Sequence, residues 1–336
     1  MSSFRFKQFL VEQNNSAMRV NTDGVLLGAW MSLPQAEVYS LDCDIKESVE
    51  HLFRFLDIGT GTGVIALMAA QRASKWLAHA KREEPSFTGY EQSSLEIDAL
   101  EIDALGIDAL EIDALEIEEG AFNDAKANFA NSPWGDASNN LSSKNNIKLS
   151  AYLTSLQEFN PISKVGVDNR YDLIFSNPPY FIESLKSNSS AKCSARHTDT
   201  LSQGDLIKHA LRLIKPKGIF ALVLPVVEGE AFISKINFIR DIALKSREEK
   251  LFFSIKRICY IKTTEKKAPK RVLLELVAST NTGLSLNGEQ AISERGLDNG
   301  HFFAQSGVAL EEIIISSGGD YTEQYRILTQ NFYLNF

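Results

Sequence analysis

Asn177-Pro178-Pro179-Tyr180 is a short run whose residue types can activate a planar nitrogen. An exocyclic amine on a nucleobase is a poor nucleophile, because its lone pair is delocalised into the ring. The Asn177 side-chain carbonyl and the Pro178 backbone carbonyl can accept the two N–H bonds, which favours a tetrahedral nitrogen and aims the lone pair at an electrophilic methyl group. Tyr180 offers a π-face on which an extruded base can stack. Two consecutive prolines stiffen the run, since each fixes φ. Asn-Pro also makes plain strand-ending turns; a second loop of cofactor-binding type argues for the chemical reading.

That second loop is Asp57-Ile58-Gly59-Thr60-Gly61-Thr62-Gly63, which follows an apolar run and opens a helical stretch. Its spacing is G-x-G-x-G, one residue short of the dinucleotide pattern G-x-G-x-x-G, so an NAD-dependent dehydrogenase is disfavoured. An acid lies two residues before the first glycine. The arrangement suits S-adenosylmethionine, which has no pyrophosphate to set on a helix N-terminus. A nucleoside cofactor also needs an acceptor for its ribose hydroxyls, expected at the end of the second strand. Glu116 is the choice there, with Glu91 as the alternative. No His, Cys and acid cluster has metal-ligand spacing, and methyl transfer from a sulfonium needs no metal.

These loops require elements to hold them. Leu52 to Ile58 is a strand run, followed by a helix from Val64. A second strand and helix pass through Leu95 to Asn131. Ile147 to Leu153 and Tyr171 to Phe175 are the third and fourth strands, the latter ending at Ser176-Asn177. Leu206 to Ile214 is helical and is stopped by Lys215-Pro-Lys-Gly218, before a fifth strand from Ile219 to Leu224. Leu251 to Ile261 and Val272 to Ala278 flank a basic turn and predict an antiparallel hairpin. Strands alternating with helices predict an α/β fold with a doubly wound, mostly parallel sheet of seven strands, whose ligands lie at the carboxyl ends of the strands.

Charge is unevenly spread over the 336 residues. The net charge is −8, yet Leu95 to Glu119 holds ten acids and no Lys or Arg. From Lys245 to Arg271 ten basic residues face three acids, the strongly basic segment, which suits a partner covered in phosphates. The acidic stretch is an internal repeat, LEIDA-LEIDA-LGIDA-LEIDA-LEIEE. Period five matches neither strand nor helix, so most of it is expected to lie in a loop, with the last copy leading into a helix from Gly120. Three widely spaced cysteines, Cys43, Cys193 and Cys259, build no disulfide framework and suit a reducing compartment. No signal peptide or apolar run of about 20 residues is present, which predicts a soluble, cytoplasmic protein without a membrane partner.

With both motifs in place, the chain resembles the class I S-adenosylmethionine-dependent methyltransferases that carry N-P-P-Y. More specifically it is similar to the bacterial tRNA (adenine-N6)-methyltransferases that modify adenine 37 of a valine tRNA. Phe4-Arg-Phe-Lys-Gln-Phe9, Met18 to Trp30 with its Asn-Thr-Asp-Gly, Lys270 to Glu275 and Tyr321 to Leu334 carry the closer match. The resemblance implies a Rossmann-like sheet, S-adenosylmethionine as cofactor and tRNA as substrate. It implies that Asp57, Gly59 and Gly61 line the cofactor, with Asn177 beside it and Thr22 and Asp23 closing the site. It departs from many relatives at Tyr152-Leu-Thr154, where no acid stands, so the cofactor adenine would rest on Leu153 and Thr154. Residues 1–50 are expected as an extension packing on the cofactor site and 51–336 as the methyltransferase domain, with 95–114 as a repeat insertion. The same loop chemistry serves methylation of release-factor glutamine, of guanine N2 in rRNA and of adenine in DNA. A catalytically dead fold retained for RNA binding is a further reading, against which the intact Asn177 to Tyr180 stands. Arg196 and His197 are weaker candidates for contact with RNA phosphate.

Overall fold

The computed structural model describes residues 2–34, 51–79, 107–135, 147–161, 168–179, 201–281 and 307–336. The chain forms two compact units. Unit one comprises residues 1–154, 171–173 and 329–336, and unit two residues 155–170 and 174–328. The fold is the expected α/β type.

Unit one begins with a small antiparallel hairpin, β1 (Ser3–Arg5) and β2 (Leu10–Glu12), followed by helix α1 (Thr22–Trp30). Its sheet is built on β3 (His51–Ile58), β4 (Ile107–Glu116) and β5 (Ile147–Leu153), which pair in parallel. The first half of β6 (Tyr171–Ser176) lies beside β3. Helices α2 (Val64–His79) and α3 (Glu119–Ala130) follow β3 and β4. Phe55, Leu56, Leu67 and Met68 are fully buried, as parallel strands covered on both faces require.

The repeat enters the sheet earlier than expected. Strand β4 takes Ile107-Asp-Ala109, the whole of Leu110-Glu-Ile-Asp-Ala114, and Leu115-Glu116. Period five is tolerated because an interior strand needs no polar face, provided its acids are paired. Arg54 on β3 meets them: its guanidinium donates to Asp113 Oδ2 at 3.0 Å and lies 3.4 Å from Glu111. The Tyr171 hydroxyl donates to the same Asp113 oxygen at 2.7 Å, and the Arg54 guanidinium sits 4.8 Å from the centre of the Tyr171 ring. Burial and the Asp113 charge push the Tyr171 phenol above its ordinary pKa.

The residues at 329–336 close over the first hairpin. Lys7 donates through its backbone N–H to the Phe332 carbonyl and through its ammonium to the Gln330 and Phe336 carbonyls. Tyr333 stacks on Phe6 with ring centroids 6.2 Å apart.

Unit two holds the second half of β6 and the order β6-β7-β9-β8-β10-β11. Helix α4 (Gln203–Leu213) leads directly into β7 (Ile214–Pro225), and helix α5 (Val226–Leu244) follows. The Lys215-Pro-Lys-Gly218 stop is thus the irregular start of a strand, with Lys217 at φ 66°, and the ladder to β9 begins at Ile219. Strands β8 (Leu251–Thr264) and β9 (Arg271–Thr280) form the expected antiparallel hairpin. Beyond the seven expected strands, β10 (Ala309–Ser317) pairs in parallel with β8, and β11 (Asp320–Tyr321) turns back on β10. Helix α6 (Glu323–Thr329) ends the element order.

Candidate active site

The glycine loop leaves β3 in register with the end of β4, where Ile58 pairs with Leu115. Gly59, Gly61 and Gly63 all have positive φ, at 70°, 57° and 82°, which a side chain would strain. Their surroundings divide them. Among the described residues a Cβ on Gly59 or Gly61 would meet nothing within 4 Å, whereas one on Gly63 would lie 2.5 Å from Phe129 Cε1. Gly63 therefore serves packing against α3. Gly59 and Gly61 present bare backbone to open space, where a ligand can approach.

Asp57 is fully buried one residue before the end of β3. Its Oδ2 accepts from the Thr60 hydroxyl at 2.7 Å, while Oδ1 finds no hydrogen-bond partner among the described residues. Burial is the main cause that lifts its pKa from 3.8 to about 7, and the nearby Glu116 charge adds to it. The Thr60 hydroxyl and the Ala66 backbone N–H act in the opposite sense. A half-satisfied carboxylate under an open loop favours a cationic ligand group, because a positive charge there restores the ionised form.

Glu116 closes β4 and spans the loop. Its Oε2 accepts from the Gly61 N–H at 2.9 Å, and its Oε1 accepts from the Ile117 and Glu118 N–H groups at 2.8 and 3.0 Å. The carboxylate is thus a strut for the loop: Oε1 has both lone pairs engaged, and Oε2 keeps one for a ligand hydroxyl. Glu116 pairs in register with Leu153, and its carbonyl accepts from the Thr154 N–H at 2.9 Å. Leu153 is 48% exposed, an apolar side chain displayed beside an acid at the carboxyl end of the sheet. Glu91, the alternative acid, lies outside the described residues.

Asn21-Thr-Asp-Gly24, which alone reads as a turn, starts helix α1. Asn21 is the N-cap, its side chain accepting from the Gly24 N–H at 3.0 Å, and Thr22 and Asp23 form the first turn. Helix α1 packs against α2: a Cβ on Gly28 would lie 2.8 Å from Met68 Sδ. Arg72 of α2 donates to the Gly28 and Met31 carbonyls, closing the C-terminus of α1.

Two residues absent from the sequence expectations tie this segment down. Asp124, buried in α3, accepts from the Asn15 and Ser16 N–H groups and from the Asn15 amide. Asn128, one turn later, accepts from the Glu12 N–H and donates to the carbonyls of Glu12 and of Thr62 in the glycine loop. The available signal was an Asp and an Asn four residues apart among Ala121, Ala125 and Phe129, the apolar face of the helix.

In unit two, Ser176 ends β6 fully buried, and Asn177, Pro178 and Pro179 leave it half-buried, buried and exposed. Tyr180, Arg196 and His197 lie outside the described residues. Asp57, Gly59, Gly61, Glu116, Leu153, Thr154, Thr22 and Asp23 all belong to unit one, and Asn177 and Pro178 to unit two. Among the described residues, no group of three His, Cys, Asp or Glu could hold a metal, and no helix is long and apolar enough to cross a membrane.

No family model matches the chain. Curated proteins do. It is 36% identical over 276 residues to the tRNA1(Val) (adenine(37)-N6)-methyltransferase of Parabacteroides distasonis, covering 82% of this chain and 84% of that protein. Over 331 residues it is 30% identical to the enzyme of that name from Photobacterium profundum, covering 98% of each, and 32% identical to that from Flavobacterium psychrophilum, covering 98% and 99%. Relatedness at this level, over nearly the full length of both partners, means that the chain belongs to the tRNA1(Val) (adenine(37)-N6)-methyltransferase family.

Proposed function

We propose that this protein transfers a methyl group from S-adenosylmethionine to N6 of an adenine in tRNA, the adenine at position 37 of a valine tRNA by its relatives' name, and that it does so in the cytoplasm. The observation that carries the reading is an open, strut-held glycine loop over a half-satisfied buried acid, in a chain whose sequence also holds an intact Asn177-Pro-Pro-Tyr180.

S-adenosylmethionine supplies a methyl group already activated by its positive sulfur. Asp57 provides negative charge beneath the loop for the cofactor's cationic end, and Gly59 and Gly61 allow close approach of the backbone. Glu116 accepts from the ribose hydroxyls while bracing Gly61, and Leu153 and Thr154 hold the adenine by packing and by backbone groups. Thr22 and Asp23 close the site from the first turn of α1. Asn177 and the Pro178 carbonyl accept the two N6–H bonds of the target adenine, so that its lone pair points at the methyl carbon. Tyr180 stacks on the extruded base. As the target nitrogen takes the methyl group, the carbon–sulfur bond would break with its electron pair left on sulfur, giving the neutral thioether S-adenosylhomocysteine, and the nitrogen releases its proton to water, so no residue need act as a strong base.

Asn177→Ala tests the assignment. The lost carbonyl acts on the target amine, so methylation should fall on the order of 100-fold or more, while S-adenosylmethionine affinity by isothermal titration stays within a few-fold. Nucleoside mass spectrometry of the reacted RNA separates N6-methyladenosine from N2-methylguanosine. Undiminished turnover in the variant would remove Asn177 from the role.

A further inference from the structure

The basic segment is contiguous in sequence and divided in space. Strand β8 separates Lys245, Arg247 and Lys250 at its start from Lys266, Lys267 and Lys270 in the turn that follows it. Fourteen extended residues span roughly 45 Å. The basic side chains between the two ends include three engaged with acids: Lys256 and Arg257 with the buried Glu275, Arg257 also with Glu311, and Lys262 with Glu312 at 2.8 Å. These charges are used within the sheet.

The turn end differs. Lys266, Lys267 and Lys270 are exposed, and Glu265 beside them accepts from the Ser317 hydroxyl at 2.8 Å. The turn also has a defined place. Arg271 pairs with Pro225 at the carboxyl end of β7, and the Lys270 carbonyl accepts from the Val226 N–H. Strands β6 and β7 are neighbours joined across α4, the connection that parallel strands require. Asn177, at the carboxyl end of β6, therefore opens on the same edge of unit two as the lysine turn. Strands β7 and β9 separate it from β8, so the turn lies about 10–15 Å to the side.

We propose that the β8–β9 turn, through Lys266, Lys267 and Lys270, is the phosphate-docking surface for the RNA whose base enters at Asn177, and that Lys245, Arg247 and Lys250 take no part. The inference rests on the proposed tRNA substrate. A base drawn into the Asn177 loop carries its flanking phosphates within one or two nucleotides of the turn, and ammonium groups in register with that path bind them without reading sequence. The net charge of −8 does not oppose this, because screening confines the field to about 8 Å at physiological salt.

The test compares the wild-type chain with Lys266→Glu/Lys267→Glu/Lys270→Glu and with Lys245→Glu/Arg247→Glu/Lys250→Glu. Binding of a transcribed valine tRNA is measured over a salt series, beside methylation kinetics and titration with S-adenosylmethionine. The turn variant should bind tRNA at least tenfold more weakly, with a salt dependence shallower by two to three counterions, and should show a raised KM for tRNA. Its kcat at saturating tRNA and its cofactor affinity should stay within twofold. The second variant should match wild type. Equal tRNA affinity and salt slope in the turn variant would overturn the docking surface, as would an equal loss in the second variant. A Lys→Gln triple at the turn guards against repulsion as the cause: it should show the same direction at smaller size. Failure of the wild-type enzyme to methylate or bind tRNA would instead sink the substrate reading.

Discussion

The Gly61 N–H donates to Glu116 Oε2 at 2.9 Å, a bond that joins the end of one strand to the cofactor loop of another. The same carboxylate also gathers the Ile117 and Glu118 N–H groups, so the loop and the entry to α3 are held by one side chain. Glu116→Gln keeps the length and turns one acceptor into a donor facing N–H groups. The expected cost is about 1–3 kcal/mol of stability, with S-adenosylmethionine bound at least tenfold more weakly. Thermal melts and isothermal titration measure the two effects, and unchanged cofactor affinity would leave Glu116 as a strut only.

Asp57 makes stability depend on pH in an unusual sense for an acid. Its pKa is raised from 3.8 to about 7 on folding, so the folded chain binds more protons than the unfolded one between those values. Stability from this group is full below about pH 4 and is lost as pH rises to about 7. Asp57→Asn cannot ionise and should remove that slope, giving a higher melting temperature than wild type near pH 8. The same variant should bind S-adenosylmethionine more weakly at neutral pH, because the charge beneath the loop is gone. In the wild type, cofactor binding below pH 7 should release a proton, measurable as heat that varies with buffer ionisation enthalpy. Absence of proton release would show that the carboxylate does not face the bound cation.

Contiguous apolar runs ended by Gly or by Asn-Pro were readable almost to the residue, as at Ile58 before Gly59 and Ser176 before Asn177. Strand β4 was harder, because Glu111 and Asp113 look like surface acids until Arg54 stands opposite them on β3. Pairing across strands is information that no local period contains. Helix α5 went unread for a related reason: Pro225 precedes it without a side-chain cap, so no start signal marks it. The site residues of the loop were visible from spacing, whereas Asp124 and Asn128 act on a segment more than 100 residues earlier in the chain.

Asn128 holds both the segment around Glu12 and the Thr62 carbonyl, whereas Asp124 holds Asn15 and Ser16 alone among the described residues. Asn128→Ala strands buried partners on both sides and should lower stability by about 1–3 kcal/mol. If the shared amide sets the loop against α1, this variant should raise the Kd for S-adenosylmethionine several-fold more than Asp124→Ala, with kcat at saturation nearly unchanged in both. Equal Kd values in the two variants would reduce Asn128 to a purely structural anchor.

The repeat offers a direct test of where structure begins in it. Every pairing of β4 uses residues from Ile107 onward, with Leu52 facing Ala109 and Ile58 facing Leu115. Removing Leu95 to Ala104, two whole units, leaves that ladder and Glu116 untouched and brings the net charge from −8 to −4 by deleting Glu96, Asp98, Glu101 and Asp103. Melting temperature and methylation should match the full chain. Removing Leu95 to Ala109 also takes Ile107, Asp108 and Ala109 out of the strand and places Gln92-Ser-Ser94 against Leu52. Losing the pairings of Ile107 with His51 and of Ala109 with Leu52 should cost about 1–3 kcal/mol. Arg54, Glu111 and Asp113 remain in both variants, so a difference between them reports on the first turn of the ladder alone. Equal stability of the two deletions would place the working start of β4 at Leu110, and loss of fold in the shorter one would show that the earlier copies are needed as well.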